Sequence, residues 1–106
     1  MPIHAAMPPL AAVRAFEAAA RHGSFTRAAV ELGMTQAAVS YQIRNLEERM
    51  GTLLFVRSAR QVTLTESGRH LATAVTDAFD SMRTAFASVR DQAEGVLTVS
   101  AAPAFA

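Results

Sequence analysis

The chain has 106 residues, enough for one domain of ordinary size or a small domain with an extension. With 51% hydrophobic and 18% charged residues, and 23 alanines against five glycines and four prolines, it supports a packed, helix-rich core and not a disordered chain. The absence of cysteine excludes disulfides and thiolate chemistry, and His4, His22 and His70 are scattered without metal-ligand spacing, so neither a metal nor another cofactor is expected. No apolar run approaches the ~20 residues that cross a bilayer, and the N-terminus lacks a charged segment followed by an apolar one. The expectation is a soluble, cytoplasmic protein. Net charge is only +1, but residues 1–69 carry +3 and residues 70–106 carry −2. An anionic partner therefore meets the first two-thirds.

In chain order, residues 1–8 read as a loose arm. A first helix is predicted over residues 9–21, with proline in its first turn and Leu10, Val13, Phe16 and Ala20 on one face. Ser24 caps a short second helix over Phe25–Leu32, and Thr35 caps a third over Gln36–Met50. Ala38, Val39, Ile43, Leu46 and Met50 give the third helix its apolar stripe. Residues 53–56 and 61–64 are β-prone and flank Arg57, Ser58, Ala59 and Arg60, a pattern that predicts a short hairpin with a basic tip. Thr65 then caps a long helix over residues 66–92. Leu71, Val75, Ala78, Met82, Ala85 and Val89 recur along it at spacings of four and three, with Phe79 and Phe86 widening the stripe. Gly95 is expected to end this helix, as Gly23, Gly33 and Gly51 end the first three, and residues 96–101 read as a strand. The fold expected is mainly α, a winged helix-turn-helix over residues 1–64 followed by a long helix over 65–94 and a strand stub over 95–106.

Residues 25–50 are the most informative. Two helices crossing steeply need a small residue at the contact, a left-handed residue in the turn and a branched anchor from the second helix. Ala29, Gly33 and Val39 supply these in order. The polar residues Thr35, Gln36, Ser40, Tyr41 and Arg44 cluster toward the N-terminal end of the third helix, the end that enters the major groove in helix-turn-helix docking. Gln36 can bond bidentately to adenine and Ala37 can pack on a thymine methyl. From the hairpin tip, Arg60 can reach the backbone or minor groove. Arg57 either contacts phosphate or pairs with Glu47 or Glu48.

The run SFTRAAVELGMTQAAVSYQIRNLEERMGTLLFVRSARQVTLTESG resembles the N-terminal domain of LysR-type transcriptional regulators. LAAVRAFEAAARHG is similar to that family's first helix, the long helix to its linker helix, and GVLTVSAAPAFA to the first strand of its effector-binding domain. The wording RAFEAAARHGSFTRAA and TQAAVS is most similar to the branch containing the glycine-cleavage activator and the β-lactamase regulator. The resemblance implies that Gln36 reads a base and that Ser40 and Tyr41 face the groove beside it, although many relatives carry a long basic residue where Tyr41 stands. It implies further that Thr26 and Thr35 hold phosphate and that Arg60 enters the minor groove. The partner implied is double-stranded DNA carrying a T-N11-A type palindrome, bound by a homodimer or a tetramer of two dimers. A small-molecule co-inducer is expected only in a domain that would follow this chain, which reads as a DNA-binding fragment.

The long apolar stripe has to be covered, either by the chain's own first helix or by a second copy. Dimerisation through Leu71, Val75, Ala78, Met82, Ala85 and Val89 is the favoured reading. A non-specific architectural DNA-binding protein and a protein-interaction module remain as alternatives. No nucleophile–base pair, carboxylate dyad or phosphate loop points to an enzyme.

Overall fold

The computed structural model describes the backbone of residues 7–59 and 61–101, with side chains through residue 95. The first three helices are bounded by the residues that the sequence nominates. α1 (Leu10–His22) starts immediately after Pro9. α2 (Phe25–Leu32) is capped by the Ser24 hydroxyl, which accepts from the Arg27 amide at 3.1 Å. α3 (Gln36–Met50) is capped by Thr35, which accepts from the Ala38 amide at 3.0 Å. Between α2 and α3, Gly33 takes φ +65°, a conformation costly for any residue with a Cβ. The Met34 amide then turns back onto the Ala29 carbonyl at 2.9 Å and closes the turn.

α1 packs on both α2 and α3, and α2 packs on α3. Their contact surfaces are built from small residues, with Ala12, Ala15, Ala18, Ala19, Ala28 and Ala29 all buried, so the helix backbones approach closely around Phe16, Val39, Ile43 and Leu46. The stripes are shorter than the periodicity predicts. Leu10 and Met50, the first residue of α1 and the last of α3, are exposed.

β1 (Phe55–Arg57) and β2 (Val62–Leu64) form the expected antiparallel hairpin, with Phe55 opposite Leu64, Val56 opposite Thr63 and Arg57 opposite Val62. β1 starts two residues later than predicted because its partner strand ends at Leu64, opposite Phe55, where Thr65 turns the chain into the next helix. Arg57 accordingly ends a strand and is not part of the tip. Phe55 carries the hairpin into the core, with its ring 5.6 Å from Phe16 and 5.3 Å from Phe25, the latter edge-on.

α4 (Glu66–Ala101) is capped by Thr65, whose hydroxyl accepts from the Gly68 amide at 3.0 Å and donates to the Leu53 carbonyl at 2.7 Å. The helix continues through Gly95, where an end was expected, and residues 96–101 are helical, not a strand. Glycine inside a helix costs about 1 kcal/mol, which is not enough to stop one. A strand needs a neighbour for its amides and carbonyls, and the β1–β2 pair is the only sheet among the described residues. A helix satisfies those groups within the segment. The chain divides after Val75 into two compact units, so the first ten residues of α4 belong with the helices and hairpin. Leu71, Ala72 and Val75 pack there against the core.

At the α1–α2 junction Arg21 forks onto two carboxylates. Its Nε and Nη2 donate to Glu17 at 2.8 and 3.0 Å, while Nη1 and Nη2 donate to Glu31 at 2.8 and 2.6 Å. His22 Nε2 adds a bond to Glu31 at 2.7 Å. The Arg21 bonds, and then that of His22, hold the Glu31 carboxyl down at about 2 from an ordinary 4.5. The bonds to Glu17, and then those to Glu31, raise the Arg21 guanidinium above its usual value.

Both junctions can be tested by substitution. A Cβ on Gly68 would lie 2.1 Å from the Leu54 carbonyl oxygen. Gly68→Ala should therefore destabilise by about 2 kcal/mol in urea unfolding, whereas an uncrowded helical glycine would gain up to about 1 kcal/mol from the same change. The depressed Glu31 carboxyl contributes stability that is fully present above pH 4.5 and lost as pH falls toward 2. The stability difference between the wild type and Glu31→Gln should be largest near neutrality and shrink through that window, as followed by denaturant titrations at several pH values.

Candidate nucleic-acid interface

α3 presents two chemically distinct sides. Val39, Ile43, Leu46 and Glu47 are buried against the other helices and the hairpin. Gln36, Ala37, Tyr41 and Arg44 are exposed and Ser40 is half-buried, so the predicted base-reading residues share the free side of the helix toward its N-terminal end. Tyr41 is 62% exposed. The Thr35 hydroxyl is exposed but already engaged as the helix cap.

The first turn of α2 meets this face. Thr26 is exposed, and Ser24, Thr26, Gln36, Ser58 and Gln61 line one open cleft between the starts of α2 and α3 and the hairpin loop. Residues at the N-terminal ends of two helices line the cleft, Thr26 of α2 and Gln36 of α3, and a helix N-terminus carries a partial positive charge. The structure thus brings Thr26, Gln36 and the hairpin loop together although they lie up to 35 positions apart in the chain.

The hairpin settles the two readings of Arg57. The sequence leaves this residue either on DNA or on a glutamate, and the structure places it on Glu47, with Nη2 donating to Oε1 at 3.2 Å. Its guanidinium also stands 5.1 Å from the centre of the Phe25 ring. The physical reason is its position at the end of β1, where the side chain reaches back over the buried carboxylate instead of out from the tip. Arg57 thus pairs within the fold while 33% of its side chain stays open to solvent. The loop beyond it is closed by the Ser58 amide and hydroxyl, both donating to the Gln61 carbonyl, at 2.9 and 3.0 Å. Arg60, the other basic residue of the tip, lies outside the described residues.

Sequence reasoning reaches Glu47 only as a partner for Arg57 and misses its larger role. It is only 7% exposed, and its Oε2 accepts the amides of Leu54 at 2.9 Å and Phe55 at 3.2 Å. A signal was present: Glu47 lies four residues after Ile43 and eight after Val39, on the buried stripe.

The proposed dimerisation residues fall into two groups. Leu71 and Val75 are half-buried against the core of their own unit. Ala78, Met82, Ala85 and Val89 are exposed, with Met82 at 42% and Val89 at 62%, and Phe86 beside them is 69% exposed. Among the described residues no group of three or more histidine, cysteine or acidic side chains is placed to hold a metal, and no helix is long and apolar enough to cross a membrane.

Comparison with known proteins bears on this surface. Residues 10–69 match the family described as bacterial regulatory helix-turn-helix protein, lysR family. The HTH-type transcriptional activator AmpR of Pseudomonas aeruginosa is 50% identical over 102 residues, covering 92% of this chain and 33% of the relative. The glycine cleavage system transcriptional activator of Escherichia coli is 48% identical over 101 residues, covering 94% of this chain and 33% of the relative. The chain thus spans about a third of the length of these curated relatives. Among solved structures, the BenM DBD in complex with catB site 1 DNA superposes with a TM-score of 0.73 at 30% identity, covering 81% of this chain and 96% of that one.

Proposed function

Since the chain belongs to the lysR family of bacterial regulatory helix-turn-helix proteins, we propose that it is the DNA-reading part of a transcriptional regulator that binds a T-N11-A type palindrome as a dimer. The observation that carries this is the shared side formed by Thr26, Gln36 and the hairpin loop, continuous with exposed Ala37, Tyr41 and Arg44. Backbone-holding and base-reading groups lie together there on a rigid corner, as specific duplex recognition requires. The relatives are regulators by name, and the BenM DBD was crystallised on DNA, which supports the same reading.

In this reading α3 enters the major groove. Gln36 reads a base, Ala37, Ser40 and Tyr41 line the groove, Thr26, Thr35 and Arg44 face phosphates, and Arg60 reaches the minor groove. A net charge of +1 makes one copy a weak DNA binder, so affinity comes from two copies held together. Ala78, Met82, Ala85 and Val89, with Phe86, form an apolar stripe suited to a second copy of α4.

The proposal is tested by fluorescence anisotropy on a T-N11-A duplex from upstream of the protein's own gene and on a scrambled version, at two salt concentrations. A preference of about tenfold or more, equivalent to about 1.4 kcal/mol, that survives the higher salt supports sequence reading. Equal, steeply salt-dependent binding to these and to pool-selected duplexes supports an architectural protein, and no binding to any duplex at low salt supports a protein-interaction module. Gln36→Ala should lower operator affinity about tenfold while leaving affinity for random duplex nearly unchanged, whereas Arg60→Ala should weaken both. Met82→Glu should shift the chain to monomer in sizing experiments and weaken operator binding with it. A wild type already monomeric at micromolar concentration would remove the dimer from the proposal.

A further inference from the structure

β1 and β2 have three residues each, and an isolated two-stranded hairpin of that size does not hold its own direction in water. Its orientation has to be imposed from outside. Phe55, packed on Phe16 and Phe25, fixes the near end. At the far end, from which the loop springs, Val62 packs against the core and Arg57 opposite it is held by Glu47.

Glu47 belongs to α3, the helix that carries Gln36, and lies about three turns further along it, buried. Its carboxylate accepts the Leu54 and Phe55 amides through one oxygen and the Arg57 guanidinium through the other. Its backbone carbonyl also accepts the amides of Gly51 at 2.9 Å and Thr52 at 3.2 Å. One residue of the recognition helix therefore grips the chain repeatedly between residues 51 and 57, on the path to the loop. We propose that Glu47 is a positioning residue that locks the hairpin loop to the recognition helix, so that contacts in the major groove and contacts made by the loop are delivered to DNA as one rigid unit. The proposal rests on the DNA-binding reading given above for its functional consequence, but not for its geometry.

The test uses the natural absence of cysteine. Glu48→Cys on α3 and Ala59→Cys in the loop are spin-labelled, and the distance distribution between the labels is measured by pulsed EPR without DNA. The background is wild type, Glu47→Gln or Arg57→Met. Glu47→Gln keeps an acceptor for the two amides but sets an amide against the guanidinium, and Arg57→Met keeps the carboxylate bonds to the backbone. Both are chosen because Glu47→Ala strands two buried amides and is the variant most prone not to fold. Circular dichroism confirms folding at the assay temperature.

The expected result is a distance distribution about twice as broad in both variants, with operator affinity lowered about tenfold. On a duplex selected from a random pool by the wild type, methylation protection at guanine N7 in the major groove should persist. Hydroxyl-radical protection where the loop meets the minor groove should fade. A purely stabilising role for Glu47 predicts folded variants with an unchanged distance distribution, or with both protections lost in parallel, and either result overturns the proposal. If the wild type selects no duplex, the DNA-binding reading fails instead, and the label distances still decide whether Glu47 positions the loop.

Discussion

The backbone of Leu53, Leu54 and Phe55 is the junction on which the first unit depends. The amides of Leu54 and Phe55 are taken by the Glu47 carboxylate of α3. The carbonyls of Leu53 and Leu54 are taken by the hydroxyl and amide of Thr65, the cap of α4. The side chains of Leu54 and Phe55 enter the core, and Gly68 lets α4 lie directly on the Leu54 carbonyl. The amides of Leu54 and Phe55 would otherwise be buried unpaired, each costing about 1–3 kcal/mol. Glu47 and Thr65 together fix α3, the hairpin and the start of α4 to one another.

Two carboxylates are buried in this small core, Glu17 and Glu47, and each is matched by an arginine. A buried carboxylate without partners costs several kcal/mol, so neither is accidental to the packing. They act at different joints. Glu17, through Arg21 and Glu31, ties α1 to α2 and so sets the helix whose first turn holds Thr26. Glu47 ties α3 to the hairpin. The candidate interface is assembled from α2, α3 and the loop, and these two ion-pair groups join the elements that carry it.

α4 divides its apolar stripe between two uses. Leu71 and Val75 complete the core of the first unit, while Ala78, Met82, Ala85, Val89 and Phe86 remain exposed. The 3.5-residue repeat runs across both groups without a break, because a helix keeps its period whatever covers it. In the proposed dimer, the same helix thus carries intramolecular packing at one end and association further along. This links the stability of each copy to the spacing of the two reading heads.

The sequence by itself determined the elements and their order. Ser24, Thr35 and Thr65 cap helices, and Gly33 closes the turn, through bonds spanning three to five residues, which local spacing encodes. The free face of α3 was legible for the same reason, since a period of 3.6 separates Tyr41 and Arg44 from Val39, Ile43 and Leu46, while Gln36, in line with Ile43, is open because it begins the helix. Resemblance over a run this long also made the family legible. The pairings across longer separations were not legible: Arg57 on Glu47, Glu47 on the hairpin amides, Gly68 against Leu54, and Thr26 beside the loop. Residues 96–101 show the limit from the other side. Their β-prone composition is a local property, but a strand exists only when a neighbour accepts its hydrogen bonds, and with none among the described residues the helix continues.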